Sequence, residues 1–478
     1  MTSQDSMYQA KPEDKPTNSE ASSTTNLSAG GASGASAKEN EMEPTGSIVS
    51  SNNQGAFMGF LKQLMTFTGD LSSMTCPSFL INGISLLEYS VHWCDFPGAL
   101  SAIAKETDPA ERMKRVSAWF VSTLYGSYYE RVATKNTGEK KPFNPILGEQ
   151  FLAKWENEEI GETTIVCEQV SHHPPVSALY LENEKLGIYG SGHFCQQSKF
   201  KGTTLKVAQE GRFTLRFKDS DEVYCFTLPE LNICSVLTGK PFLEMRGQTW
   251  IRSNKGYTAQ FEWHTKPWLH GEYHKFDGSI YKESSDAASS STGLSVSSFF
   301  TLGSSAPTVQ KDILYKMSGK WMEKSTVTNV KTGEEEVFFE VDPKKKEDMI
   351  VRPLSEQSDI ESRKVWHKVA EAISKGEYDV ATKEKTAIEE HQRALRRERN
   401  EKGIEWVPKL FTYIKDDIEH ADVKDCYKYL YRLQPTVTVG SWVYKNSPHF
   451  TDSTKSAGST AAASISESTN SGSFKSLQ

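Results

Sequence analysis

Apolar and polar side chains alternate in Arg212-Phe-Thr-Leu-Arg-Phe-Lys218 and again in Tyr257-Thr-Ala-Gln-Phe-Glu-Trp263. A period of two puts one kind of side chain on each face of an extended strand. Runs of this kind follow one another from about residue 149 to 341, with Gly, Pro or Asn turns between them. No helical period alternates with them, as the crossovers of a parallel sheet would require. The pattern therefore predicts a mostly β (α+β) fold: a large antiparallel meander curled into a nearly closed β-barrel, with helices on either side. Asp108-Pro109 with Glu111 makes an N-terminal cap, after which Met113, Val116, Phe120 and Leu124 recur at helical spacing. Toward the C-terminus, residues 358–374 and 379–402 read as two helices broken at Lys375-Gly376. Upstream, residues 56–67 are amphipathic, with Phe57, Phe60, Leu61, Leu64 and Met65 assigned to one side and Lys62 as the only charge. Such a helix is either ordinary core or one that leaves its apolar bed to touch loosely packed lipid.

Composition then sets the boundaries. Residues 1–50 are Ser, Thr, Gly, Asn and Glu with Tyr8 as the sole aromatic, too little apolar surface to offset chain entropy. The same composition returns after residue 446, where Phe474 is the one aromatic of the last 28 residues, and residues 284–307 form a low-complexity loop insertion. The prediction is a disordered tail over 1–50, a helical segment over 51–77, one barrel domain with flanking helices over 78–446, and a second disordered tail over 447–478. Charge adds a constraint: 55 Lys and Arg against 62 Asp and Glu leave −7. No global positive field exists to hold nucleic acid, so any anion site must be local. The seven cysteines form no C-x-x-C, which argues for free buried thiols in a reducing compartment rather than disulfides or a zinc cage. With no apolar segment near the N-terminus and no run of about 18 apolar residues, the chain reads as neither secreted nor membrane-spanning.

Four segments carry candidate chemistry. In Glu168-Gln-Val-Ser-His-His-Pro-Pro-Val176, adjacent histidines on a strand would point to opposite faces, a poor arrangement for one metal. Hydrogen bonds from both to a phosphate suit them better. On the loop Lys140-Lys-Pro-Phe-Asn-Pro-Ile-Leu-Gly-Glu149, Pro142 and Pro145 stiffen the backbone around Lys141 and Asn144. On the helix from Asp379, Ala381, Ile388 and Leu395 make an apolar stripe, with Lys385, Glu389 and Arg393 on its flank. These charges read either as a solvated ladder or as an anion site. Gly187-Ile-Tyr-Gly-Ser-Gly-His193 lacks the Lys-Ser/Thr of a nucleotide loop and reads as an irregular strand. The absence of a G-x-S-x-G elbow, or of any catalytic carboxylate or Cys/His constellation, predicts that the protein is not an enzyme.

The motif EQVSHHPP at 168–175, the KKPFNPILGE loop at 140–149 and the segments 361–366 and 385–393 together resemble the oxysterol-binding-protein-related family, over nearly all of residues 57 to 410. Gly69-Asp-Leu-Ser-Ser73 and the short lid resemble its fungal branch, in which a lone lipid-binding domain exchanges sterol for phosphatidylinositol 4-phosphate. The resemblance implies one phosphoinositide headgroup site made of Lys141, Asn144, His172, His173, Lys385, Glu389 and Arg393. It implies sterol contacts at Trp93, Ser127, Tyr128 and Gln209, although fungal sterol binders often have Gln where Ser127 stands. Phe57, Phe60, Leu61, Leu64 and Met65 would belong to a lid that meets membranes, helped by basic residues such as Lys344 to Lys346. The implied function is non-vesicular transfer between membranes of sterol (ergosterol) against phosphatidylinositol 4-phosphate, by a monomer without cofactor or metal. It would reside in the cytoplasm, peripherally on Golgi, endoplasmic reticulum or other internal membranes, with no nucleic acid partner. Two alternatives are exchange of phosphatidylserine in place of sterol, and a phosphoinositide sensor that regulates Golgi trafficking without net transfer. The acidic run Glu334 to Asp342 superficially resembles the FFAT motif that binds an endoplasmic-reticulum protein, but reads as a buried strand.

Overall fold

A computed structural model describes residues 47–69, 71, 74–89, 91–135, 138–266, 271–283, 311–414, 421–434 and 440–447. The 284–307 insertion and all but the margins of both predicted tails lie outside the described residues. Helix α1 (Gln54–Thr66) leads to strand β1 (Ile81–Ser85), helices α2 (Leu86–Tyr89), α3 (Pro97–Lys105), α4 (Pro109–Tyr128) and α5 (Glu130–Lys135), and strand β2 (Lys141–Phe143). Thirteen strands follow, with no α-helix between them among the described residues: β3 (Gln150–Asn157), β4 (Gly161–His172), β5 (Pro175–Asn183), β6 (Ile188–Lys201), β7 (Thr204–Phe217), β8 (Ser220–Phe226), β9 (Glu230–Cys234), β10 (Phe242–Ser253), β11 (Tyr257–His264), β12 (Lys275–Glu283), β13 (Lys311–Lys320), β14 (Lys324–Asn329) and β15 (Glu335–Glu340). The last described elements are α6 (Ser362–Val365), α7 (His367–Ser374), α8 (Tyr378–Glu401), β16 (Phe411–Ile414), α9 (Ala421–Leu433) and β17 (Ser441–Tyr444).

The predicted meander is present. Strands β3 to β15 form one antiparallel sheet in near-sequential order, with β9 pairing to both β7 and β10. Its curvature follows from helix α4. Asp108 caps that helix, its Oδ1 accepting from the backbone N–H of Ala110 (2.9 Å) and Glu111 (3.0 Å). Met113, Val116, Trp119, Phe120 and Leu124 of α4 lie in one buried cluster to which all thirteen strands contribute, among them Phe151, Leu179, Phe213, Phe261, Phe276 and Phe338. One helix can share a core with every strand only if the sheet curls around it. The end strands β3 and β15 are not paired with each other among the described residues. The chain after β15 runs back along β3, where Ile350 and Lys154 exchange backbone hydrogen bonds of 2.7 and 3.0 Å.

Tertiary packing adjusts several sequence expectations. The polar face of β7 is not solvated: Arg212 and Thr214 are buried under α9, Thr214 Oγ1 lying 2.9 Å from the Tyr427 hydroxyl and the Arg212 guanidinium 4.2 Å from that ring's centre. The helix expected over 358–374 breaks at Trp366 into α6 and α7, because the Trp366 indole stacks on Phe143 at 4.5 Å and donates to Glu149. The run 334–342 contains strand β15, but it is not the buried strand expected: as the last strand of the sheet it buries Phe338 and leaves Val337 exposed, and the glycine-rich segment from Ile188 is part of β6. Of the lysines at 344–346, Lys346 is not free at the surface: its ammonium is 3.0 Å from Glu130 and 3.9 Å from buried Asp95, and it also pairs with Asp348. Burial would lower its pKa, but these carboxylates outweigh it and hold the pKa high. All seven cysteines are free and five are buried. None of the described helices is long and apolar enough to cross a membrane.

Candidate functional site

Two buried glutamates position the motifs. Glu149 closes the KKPFNPILGE loop at zero exposure, its carboxylate accepting from Trp366 Nε1 (2.9 Å), the Ile146 N–H (2.9 Å) and Ser85 Oγ. Burial raises its pKa against the pull of these donors. Glu168 opens the EQVSHHPP motif and accepts from the backbone N–H of Lys409 and Leu410, each at 2.7 Å, and of Phe411 at 3.3 Å. The first glutamate ties the loop to the segment leading into α7 and α8, and the second ties β4 to the chain that leaves α8. Neither was expected as a site residue; their role shows only once the partners are adjacent.

The residues expected to hold a headgroup come from three elements that converge. Lys141 lies on β2 beside Ile81 of β1, and α7 and α8 pack on the same layer, with Ala381 and Ile388 joining Ile81, Phe143 and Trp366. The Cys76 thiol records which charges meet there: burial raises its pKa, while the ammonium groups of Lys141 and Lys385 pull it back. His172 records the rest. Burial and His173 lower its pKa, its ring hydrogen-bonds the Pro145 carbonyl, and the charges of Arg396 and Glu389 reach it. The loop after β2, the β4–β5 hairpin and α8 therefore meet in one polar cluster, the expected mouth. The two imidazoles stand 4.8 Å apart at 75°, not on opposite faces, because β4 ends at His172 and His173 already lies in the turn. His172 Nδ1 is buried and has no hydrogen-bond partner among the described residues.

On α8, Lys385 is mostly buried and its ammonium donates to Glu389. Arg393 and Arg396 are both exposed, and it is the charge of Arg396 that reaches His172. Helical geometry explains why. At about 100° per residue, Arg396 falls roughly 20° from Lys385 around the axis, and Arg393 roughly 80°. Asn144 is partly buried on the loop between Phe143 and Pro145. Among the described residues the set with metal-ligand spacing is His92, Asp95 and Glu130, away from this mouth and already facing Lys346.

The four expected sterol contacts separate into two groups. Tyr128 and Gln209 meet: the Tyr128 hydroxyl donates to Gln209 Oε1 (3.4 Å), which also accepts from Gln196 Nε2 (3.1 Å), while Gln209 Nε2 donates to the Pro229 carbonyl (2.8 Å). Burial raises the Tyr128 pKa, so the phenol stays a neutral donor. Trp93 belongs to an aromatic group, its ring 4.2 Å from Phe213 and 5.5 Å from Trp119. Ser127 is buried at the end of α4, its carbonyl accepting from Arg131 at 2.6 Å.

In the expected lid, Phe57, Leu61 and Leu64 are buried against Leu71, Phe79 and Leu80, and Phe60 is partly buried. Met65 does not share their side: it is 55% exposed, as is Met58 at 54%. Residues 57, 61 and 64 repeat at four and three, which places Met58, Lys62 and Met65 together on the outer face.

The oxysterol-binding protein family model matches residues 57–306 and 370–436. Protein KES1 of Mycosarcoma maydis is 34% identical over 393 residues, covering 81% of this chain and 95% of that protein. Protein kes1 of Schizosaccharomyces pombe is 33% identical over 398 residues, 82% of this chain and 94% of its own. Among solved structures, the Osh1 ORD domain in complex with cholesterol superimposes with a TM-score of 0.60 at 20% identity, covering 80% of this chain and 86% of that one. The Osh3 ORD of Saccharomyces cerevisiae in complex with PI(4)P does so at 0.55 and 23% identity, covering 82% and 96%.

Proposed function

The chain belongs to the oxysterol-binding protein family, and on that premise we propose that it carries lipids between membranes, taking sterol and phosphatidylinositol 4-phosphate in turn into one interior. The observation that carries this reading is the convergence of Lys141, His172, Lys385 and Arg396 at the mouth of a sheet curled around an apolar core. A phosphomonoester there would meet two ammonium groups, a guanidinium and the unpartnered His172 Nδ1. Charge-assisted hydrogen bonds of this kind are the strong ones. Relatives of similar fold bind cholesterol, ergosterol and PI(4)P. No bond is made or broken in this account. Two ligands that compete for one interior exchange by differential affinity, and a phosphoinositide gradient then drives sterol the other way. Helix α1 would cover the interior in transit, with Met58 and Met65 presented to lipid when the protein docks peripherally.

The test is exchange between two vesicle populations, one carrying ergosterol and one phosphatidylinositol 4-phosphate, with the purified full chain. Acceleration of both transfers, each dependent on the other lipid, is expected. Binding of the phosphoinositide with no acceleration in either direction would favour a sensor, and mass spectrometry recovering phosphatidylserine instead of sterol would change the cargo.

A further inference from the structure

Beyond the mouth, the loop of residues 403–408 has a feature that the lipid site does not use. Val407 and Ile404 are 61% and 55% exposed, and no large apolar residue among the described ones is more exposed than Val407. This loop is not loosely held. The Ile404 N–H donates to the Arg399 carbonyl (2.9 Å), and the Pro408 carbonyl accepts from Lys445 Nζ (2.6 Å). The next three N–H groups are those captured by Glu168. The Trp406 ring fills the space over Gly148, where an added Cβ would lie 2.5 Å from its edge. Anchored on both sides and through its middle, the loop holds two aliphatic side chains out in water, at a cost that packing elsewhere does not explain.

The surroundings indicate what covers them. Between residues 391 and 409, six Arg or Lys accompany three Glu, a local +3 in a chain of −7. Arg396, Arg397 and Lys409 are exposed, and the Arg399 guanidinium lies 5.6 Å from the Trp406 ring. We propose that the 403–408 loop and the C-terminal half of α8 form a docking wedge for anionic lipid bilayers, with Ile404 and Val407 entering the interface and the arginines meeting lipid phosphates. Two aliphatics ringed by bases offer too little apolar core for a stable protein partner, which needs roughly 800 Å² per side with aromatic anchors. They suit a bilayer surface, where shallow apolar insertion and attraction to anionic lipid add together. Glu168, which fixes the loop, lies four residues before His172, so docking here would bring the polar mouth to the membrane. The wedge deepens the lipid-carrier reading and rests on it for its purpose.

The experiment is co-sedimentation of the full chain with phosphatidylcholine vesicles, with and without phosphatidylserine and lacking phosphoinositide, so that the headgroup site contributes nothing. Wild type is expected to favour the anionic vesicles, increasingly so at low salt. Ile404→Asp/Val407→Asp should bind them about ten-fold or more weakly, judged from the apolar area withdrawn. Arg397→Glu/Lys409→Glu should lose the preference for phosphatidylserine. Both variants should keep the wild-type melting temperature and the affinity for a soluble short-chain phosphatidylinositol 4-phosphate. Vesicle binding unchanged in Ile404→Asp/Val407→Asp, or abolished only by Met58→Asp/Met65→Asp, overturns the wedge. Failure of the short-chain phosphoinositide to bind wild type would overturn the function proposed above while leaving the vesicle result to stand.

Discussion

The mouth and the interior both contain polar groups, but they use them differently. At the interior, both ends of the Gln209 amide are engaged: its carbonyl oxygen accepts from Tyr128 and Gln196, and its nitrogen donates to Pro229. At the mouth, His172 keeps an unpartnered ring nitrogen among bases supplied by three different elements. A buried network that satisfies itself fixes shape, and a ligand hydroxyl must share or displace one of its bonds. A cluster in which bases from separate elements outnumber the one carboxylate, Glu389, keeps positive charge that an anion can neutralise. On the proposed function, the mouth would specify its ligand through charge and the interior chiefly through apolar contact.

The strongest break of this contrast comes from the mouth. Lys141→Ala/Lys385→Ala removes two charge-assisted contacts at about 1.5–3 kcal/mol each, so phosphoinositide affinity should fall on the order of 100-fold or more. Sterol affinity should stay within about two-fold, because neither lysine reaches the apolar cluster. Titration with each lipid checks both; parallel loss of sterol binding would merge the two regions into one.

A smaller effect separates support from recognition in the interior. Gln209→Leu leaves the Pro229 carbonyl and the Gln196 amide unpaired in a buried setting, so unfolding stability should drop by about 1–3 kcal/mol. Denaturant melts measure this. If stability is unchanged and only sterol affinity drops, Gln209 is a ligand contact whose hydrogen bonds are easily exchanged.

The same contrast governs what the sequence discloses. The meander and α4 are legible because period-two and period-3.6 patterns act locally, and Asp108 caps its helix through its immediate neighbours. The mouth is legible as motifs, yet not in detail: Arg396, whose charge reaches His172, lies closer in helical angle to Lys385 than the expected Arg393 does. Met65 is apolar but falls on the exposed Met58 side of α1, so apolar character alone does not place it with Phe57, Leu61 and Leu64. Glu149, Glu168 and the burial of Arg212 under α9 depend on partners more than two hundred residues away, for which no local pattern exists.

The smallest expected effect is one of pH, and it bears on whether the mouth is truly unsatisfied. In the free protein, burial, His173 and Arg396 hold the His172 pKa below its ordinary 6.5. A bound phosphate facing Nδ1 would favour the imidazolium and raise that pKa, so binding takes up a proton. Affinity should therefore rise as pH falls from 8 toward 6, by a few-fold for a single partly coupled group. His172→Gln should flatten the residual slope left after the phosphate's own titration is subtracted using a non-hydrolysable sulfate analogue. Stability should move the other way. His193 and His274, held down to about 3 and about 4 by burial, stay neutral in the folded state while the unfolded chain gains protons below about 6.5. Native stability is then lost as pH falls through that window, so the affinity gain must be read above it. Isothermal titration in buffers of different ionisation enthalpy counts the proton directly. Zero uptake would mean that His172 Nδ1 stays unpaired in the complex and that the mouth binds by its lysines and arginine alone.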